Sequence, residues 1–382
     1  DWQQVSLLEQ QDKLAAFLQE LKTDGFNLNK APLMRLDLIK TPSHYQFVWT
    51  YHHLLLDGWS IPLLIKELLE SYQSFAQNLS IAPLIAFPYK NYIAWLQQQN
   101  KEQALNFWRE ELKNIDAPTS FEIARNITRK PNASNYQQCD LQLSSETTYK
   151  LEFLAREYQI TYNIIVQAAW AILLHRYSGN LDLVFGATSS GRPTNLANSQ
   201  TMVGLFINTL PIKVQINARQ SAIDWLKQLQ ANQIARQEYE HTSLIDIHRV
   251  SNVPQDTPLF QSIIVFENYP VESSLKQSLD VLDIRNIQTS EQTNYPLTLY
   301  AIVGDRLSFK LLYNSYLFDA NSINNILEHL KILIEEIVSN PEQKVGELNI
   351  LTALEQEQQL NQPNSTAKAY PQSGFLLLFE TT

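Results

Sequence analysis

Residues 160–177, from Ile160 to Tyr177, read as one helix that is apolar on nearly every side and is stopped at Gly179. A helix of that kind has no face to show to water. It must be enclosed by other elements, and this demands a sizeable core built in layers. The 382 residues, 44% of them hydrophobic, supply enough material for about two such cores. No stretch of 18 apolar residues occurs, so no membrane span is expected. One cysteine, Cys139, excludes an intrachain disulfide and a cysteine-rich zinc site, and fits a cytoplasmic setting.

The rest of the chain alternates strands and helices. Val5, Leu8, Phe17 and Leu21 mark a helix over 5–21 ending at Gly25. Residues 33–39 read as a strand. Tyr45, Phe47, Trp49 and Tyr51 alternate with Gln46, Val48 and Thr50, a second strand running directly into His52-His53. Gly58 breaks it, Ser60 is placed as N-cap, and a helix follows to about Ala76. Residues 87–112 read as helical, with Tyr92, Trp95, Phe107 and Trp108 as core aromatics. Ser144 to Thr147 opens another helix. Further strands are read at 181–185, 209–216, 260–266, 297–303 and 307–312, and further helices at 221–240 and 320–338. This order points to an α/β (α+β) chain of two lobes with mixed sheets. The division reads as 1–117 for the first lobe, 118–138 for a linker rich in Pro and Asn, 139–345 for the second lobe, and 346–382 for a further linker. The chain begins at Asp1-Trp2 and ends abruptly in Thr381-Thr382, as expected of a piece of a larger polypeptide.

A net charge of −10 without any Lys/Arg cluster excludes a general nucleic-acid binder. The chemistry concentrates in Tyr51-His52-His53-Leu54-Leu55-Leu56-Asp57-Gly58-Trp59-Ser60. Strand neighbours point to opposite faces, so only one histidine can face a given cavity, and His53 shares parity with Phe47, Trp49 and Tyr51. Imidazole titrates near neutrality and can accept a proton or orient an amine or hydroxyl. Asp57 can hold the loop by a charge-assisted hydrogen bond, and Gly58 permits a turn and close approach of substrate. The plainer reading makes His53 a core residue and Asp57 and Ser60 helix caps. Adjacent histidines diverge, so a metal site is not expected, and no Gly-x-Ser-x-Gly elbow supports a serine hydrolase.

The His-His-x-x-x-Asp-Gly pattern of residues 52–58 resembles that of the chloramphenicol acetyltransferase-like superfamily. The flanking Trp59-Ser60 is similar to the condensation domains of non-ribosomal peptide synthetases. Tyr89 to Trp95, Ser190-Gly191-Arg192-Pro193, Val203 to Pro211 and Asp256 to Phe260 resemble later motifs of that family in the same order. Leu348 to Pro371 resembles the linker into an adenylation domain.

The resemblance implies two acetyltransferase-like lobes forming a V around a central tunnel. Two carrier domains, upstream and downstream, would bring thioesters to it, and a carrier-bound amine would attack an acyl or peptidyl thioester to form an amide. His53 takes the family's catalytic position, with His52, Asp57, Gly58, Trp59 and Ser60 in support, and Arg192, Asn208 and Thr209 on the second lobe beside the tunnel. The resemblance leaves open whether His53 acts as a base or as a positioning group. It implies no cofactor bound by the domain itself, the phosphopantetheine being supplied by the carriers, and an adjoining adenylation domain as neighbour. A lipo-initiating domain, an ester-forming acyltransferase of the superfamily and a truncated docking fragment are the alternatives. The family's opening motifs find no match here. Asp57 is therefore expected to lack its arginine partner, with Arg35 the nearest basic residue in sequence.

Overall fold

The all-round apolar helix forms as its sequence demands and organises what surrounds it. The structure is a computed structural model that describes residues 1–81, 85–121, 136–267, 282–289 and 293–361. The first half holds α1 (Leu7–Asp24), β1 (Met34–Lys40), β2 (Tyr45–Tyr51), α2 (Ser60–Ala76), α3 (Lys90–Gln97) and α4 (Lys101–Glu111). The second half holds β3 (Tyr136–Gln142), α5 (Ser145–Tyr158), α6 (Tyr162–Ser178), β4 (Asp182–Ser189), β5 (Asn208–Gln215), α7 (Ala222–Gln237), α8 (Leu244–Val250) and β6 (Ser262–Glu267). It continues with β7 (Leu297–Ile302), β8 (Ser308–Asn314), α9 (Ala320–Ser339) and α10 (Ala353–Asn361).

In α6, every residue from Ile164 to Leu174 is buried. Its one polar member, Gln167, donates through Nε2 to Asn163 Oδ1 at 3.1 Å. Thr161 caps the start by accepting from the Ile164 N–H, and Gly179 ends the helix at φ +75°, donating to His175 O. The strands beside it form a six-stranded mixed sheet in the order β3-β8-β7-β6-β4-β5. The β4–β6 and β6–β7 pairs are parallel and the other three antiparallel.

Alternation along β4 sorts this sheet between two cores. Leu183 and Phe185 join α6 and α9 on one face, whereas Val184 turns to the other, where Trp108, Leu112 and Ile247 meet it. Helix α4 of the first half is thus packed against the second sheet. The α/β architecture with a mixed sheet is realised here. In the first half the described residues contribute a two-stranded antiparallel ribbon in which Leu36 faces Trp49 and Leu38 faces Phe47.

Several boundaries differ from the sequence expectation. The helix expected over 87–112 is two helices broken at 98–100, where Asn100 accepts the Gln103 N–H and starts a new one. Trp95 and Phe107 are half-buried, while Tyr92 and Trp108 are buried. The N-cap of α2 is Trp59, not Ser60. Ser60 is the first helical residue, and its N–H donates to Asp57 Oδ1 at 2.8 Å. The strand expected at 181–185 runs on to Ser189. Of the expected 118–138 linker, 122–135 lie outside the described residues and Tyr136 already begins β3. Residues 362–382 also lie outside them.

Candidate active site

Strand β2 ends at Tyr51, one residue before the histidine pair. The His52 N–H donates to Leu33 O at 2.9 Å, and the chain then turns, with the Leu55 N–H donating to His52 O at 3.0 Å. Strand β2 ends before His53, so strand parity does not determine which face its ring takes. The turn instead separates the two rings by engagement. His52 Nδ1 accepts from the Leu54 N–H at 3.1 Å, which leaves the proton of a neutral imidazole on Nε2. The same ring stands edge-on to Phe26. His53 is solvent-exposed, and no described residue hydrogen-bonds its imidazole.

Behind this turn lies a closely satisfied buried carboxylate. Asp57 is 2% exposed. Its Oδ1 accepts from the Ser60 N–H at 2.8 Å and from Ser60 Oγ at 2.7 Å, and its Oδ2 from the Phe206 N–H at 3.1 Å. Arg192 Nη2 reaches both oxygens, at 3.1 and 3.3 Å, and Ser60 Oγ at 3.2 Å. Arg192 Nη1 donates to the carbonyls of Ser199 and Met202. Asp57 thus has an arginine partner, correcting the expectation that it lacks one. Arg35 does not serve: its guanidinium donates to Gly25 O and lies 4.8 Å from the Phe26 ring centroid. The partner comes from the second half of the chain, 135 residues away.

The segment 190–207 brings this arginine in and closes over the turn. The Asp57 N–H donates to Gly204 O at 3.3 Å, and the Gly204 N–H donates to Ser60 Oγ at 3.1 Å. Ser60 Oγ also lies 3.0 Å from Gly204 O, so its single proton serves Asp57 or Gly204 at any instant. Trp59 Nε1 donates to Gln200 O at 3.0 Å. Two glycines permit the close approach. A Cβ on Gly191, whose φ is +60°, would sit 1.8 Å from Phe206 O, and one on Gly204 would sit 2.2 Å from the Tyr89 ring. Tyr89 Oη donates to Leu205 O, and the Tyr92 and Phe206 rings lie 4.4 Å apart. The Arg192 guanidinium lies 4.1 Å from the Phe206 ring centroid, a cation–π contact.

A sequence model of the condensation domain matches residues 1–360. The chain belongs to the condensation-domain family. Condensation domains are transferases that form amide bonds. This condensation domain is 41% identical over 372 residues to a linear gramicidin synthase polypeptide of Brevibacillus parabrevis, covering 96% of this chain and 7% of that protein. It is 31% identical over 387 residues to gramicidin S synthase 2 of Brevibacillus brevis, covering 98% of this chain and 8% of that one. It therefore spans a small fraction of these curated relatives. Among solved structures, it resembles a four-domain nonribosomal peptide synthetase bound to AMP and glycine, with a TM-score of 0.75 at 22% identity over 93% of this chain and 28% of that one. It resembles the first condensation domain of the calcium-dependent antibiotic synthetase with a TM-score of 0.69 at 17% identity, covering 88% of this chain and 75% of that one. These two likenesses carry the fold.

Of the expected site residues, the condensation domain brings Asp57, Ser60 and Arg192 into direct contact, with Trp59 beside them and Gly58 half-buried in the same turn. Asn208 and Thr209 open β5, where Ser189 pairs with Asn208 and Thr188 with Thr209. The Asn208 amide nitrogen donates to the carbonyls of Glu240 and Thr242, so both its protons are engaged away from Asp57. Tyr89, Gly204 and Phe206 were not singled out as site residues by sequence reasoning, although Tyr89-to-Trp95 and Val203-to-Pro211 both stood out as motifs. Among the described residues no cluster of three or more His, Cys, Asp or Glu side chains could hold a metal ion, and no helix is long and apolar enough to cross a membrane.

Proposed function

We propose that this domain forms a peptide bond between two carrier-bound substrates, with His53 at the reacting amine. The amine nitrogen of a downstream aminoacyl thioester attacks the thioester carbon of an upstream acyl or peptidyl group. The new C–N bond forms, the C–S bond breaks, and the proton lost by the amine balances the thiol released on the upstream carrier. The attacking amine must be oriented and must lose a proton, and an exposed imidazole can serve either need. Both phosphopantetheine arms belong to the carriers, which would reach His53 through a tunnel between two lobes. The domain itself would hold no cofactor, and an adenylation domain would follow it in a cytoplasmic synthetase.

One observation supports this reading above the others. The buried Asp57–Arg192–Ser60 network anchors the turn, yet His53 is exposed and its imidazole is hydrogen-bonded by none of the described residues. The plainer reading, a satisfied core histidine, requires burial, whereas His53 is exposed and His52 accepts from the backbone of the turn. The test is intact-mass detection of amide transfer between two loaded carrier proteins, with His53→Ala alongside. The expected loss is roughly 10²–10⁴-fold in a variant whose circular dichroism is unchanged. Equal product from both chains would remove His53 from the reaction. A folded wild type that makes no product would favour a docking fragment instead.

A further inference from the structure

The loop that carries Arg192, Gly204 and Phe206 to Asp57 leaves β4 at Ser189 and enters β5 at Asn208, two residues paired across the sheet. Both stems are tied to one short segment that follows α7. Ser189 Oγ donates to Glu240 Oε2 at 2.5 Å. The Asn208 amide donates to Glu240 O at 2.8 Å and to Thr242 O at 2.7 Å. This segment is itself firmly seated. Thr242 donates to Tyr239 O through both its N–H and its hydroxyl. The Tyr239 ring stacks on Phe107 of α4 with centroids 4.4 Å apart. One turn earlier, buried Arg236 pairs with Glu111 at 2.9 Å, also on α4.

The Glu240 side chain is the part of this arrangement that backbone geometry does not require. Burial pushes its carboxyl pKa up, against the pull of the Ser189 hydrogen bond and the Arg236 charge. Placing a carboxyl there is costly unless a specific contact compensates, and its hydrogen-bond contact is the loop stem.

We propose that Glu240 is a positioning residue for amide formation. Through Ser189 it holds the stem of the 190–207 loop, the loop holds Asp57, and Asp57 anchors the turn that presents His53. This inference rests on the reading of His53 given above. The side-chain tie needs an acceptor at Glu240 and a donor at Ser189, and no net charge.

The test uses the full chain with Glu240→Ala, Glu240→Gln, Ser189→Ala and the Glu240→Ala/Ser189→Ala double variant. A slightly displaced turn lowers kcat, so each single alanine variant should lose ~10–100-fold in kcat. The KM for the acceptor carrier should stay within about twofold, since binding contacts are untouched. The double variant should be no worse than either single, as expected of two ends of one contact. Glu240→Gln, whose amide oxygen still accepts from Ser189, should recover most of the rate. Amide hydrogen exchange should quicken at 190–207 and 52–57 in Glu240→Ala and stay unchanged in β6 and β7. Equal losses for Ala and Gln, additive losses in the double variant, or unchanged exchange at the loop would each overturn the proposal. If the wild type makes no amide, the reading of His53 fails, and the exchange comparison still decides whether Glu240 holds the loop.

Discussion

A single guanidinium joins two distant pieces of chain at Arg192. Its two terminal nitrogens divide the work: Nη1 takes the carbonyls of Ser199 and Met202, and Nη2 takes the Asp57 carboxylate and Ser60 Oγ. Lysine has one nitrogen and no fork, so it cannot do both. Arg192→Met leaves Asp57 charged, buried and without its cation, and should lower stability by about 3–5 kcal/mol in urea unfolding, with Arg192→Lys between it and wild type. A loss under ~1 kcal/mol for Arg192→Met would mean that the pair is solvated as surface pairs are. Arg192 was legible as a residue worth naming, but its partner was not, because nothing local encodes a contact across 135 residues. The exposure of His53 was equally hidden, since strand parity applies only while the strand lasts. Tyr92 adds a pH dependence. Burial, helped by the nearby Tyr89 and Asp57, pushes its phenol up to about 12 from an ordinary 10.0. The unfolded chain therefore loses this proton first, so the contribution of Tyr92 is complete below pH 10 and is lost as pH rises toward 12. Urea midpoints from about pH 9 to 12 should fall, and Tyr92→Phe should flatten part of that fall. An unchanged slope would show that Tyr92 ionises in the folded chain as it does in water.

Elements whose ends carry their own chemistry were the most legible. Helix α5 starts where Ser144 accepts the Thr147 N–H, α6 stops at Gly179, and α9 begins where Asp319 accepts the Ser322 N–H. The break between α3 and α4 was missed because residues 97–99 are glutamines that a helix tolerates; Asn100, a good N-cap, was the available signal. Alternation identified β1 and β2 as strands but said nothing of what covers them. Leu36, Leu38 and Phe47, on one face of the ribbon, are 60%, 66% and 47% exposed. Helix α10 carries a side chain that ties its first turn to the core. Glu355 accepts from the Thr352 N–H and hydroxyl at its start, and its carboxylate meets buried His329 at 3.0 Å. Tyr177 Oη lies 2.8 Å from the other His329 nitrogen. Burial alone would raise the Glu355 carboxyl, but the hydrogen bonds from His329 and Thr352 outweigh it and hold the pKa below the usual 4.5. A lowered carboxylate pKa contributes stability above 4.5 that disappears as pH falls through the folded value. Helix α10 should therefore come off the domain in acid before the core unfolds, and protease cleavage within 353–361 should rise below about pH 4.5. Glu355→Gln should make cleavage nearly independent of pH. Cleavage that follows global unfolding in both chains would show that Glu355 does not hold the helix.

Among the described residues, joints of two kinds couple the halves of the molecule. The first is polar: the Asp57–Arg192–Ser60 network with Gly204 and Phe206 around it. The second is apolar, where Trp108 and Leu112 of the α4 region enter a core lined by Val184, Leu210, Ile247, Phe260 and Ile263. Trp108 is fully buried there, and its Nε1 lies 3.4 Å from Tyr239 O. The sequence pattern had no means to show this exchange between its two expected lobes, because the aromatic run of α4 fits a core on either side. The consequence is thermodynamic. A first half whose helix completes the core of the second cannot unfold without exposing that core, so the chain should unfold in one transition. Far-UV circular dichroism is dominated by the helices and sheet of both halves, and near-UV circular dichroism reports the packing of the buried tryptophans; the two should give coincident urea curves. Trp108→Ala should then shift both curves together by about 3–5 kcal/mol, the cost of emptying a large buried site. Two separated transitions in the wild type, or a Trp108→Ala shift confined to one probe, would mean that the halves are independent and the apolar joint does not couple them. Coincidence would carry a functional consequence as well: His53 on one half and the loop that anchors its turn on the other would be held in register by packing at Trp108.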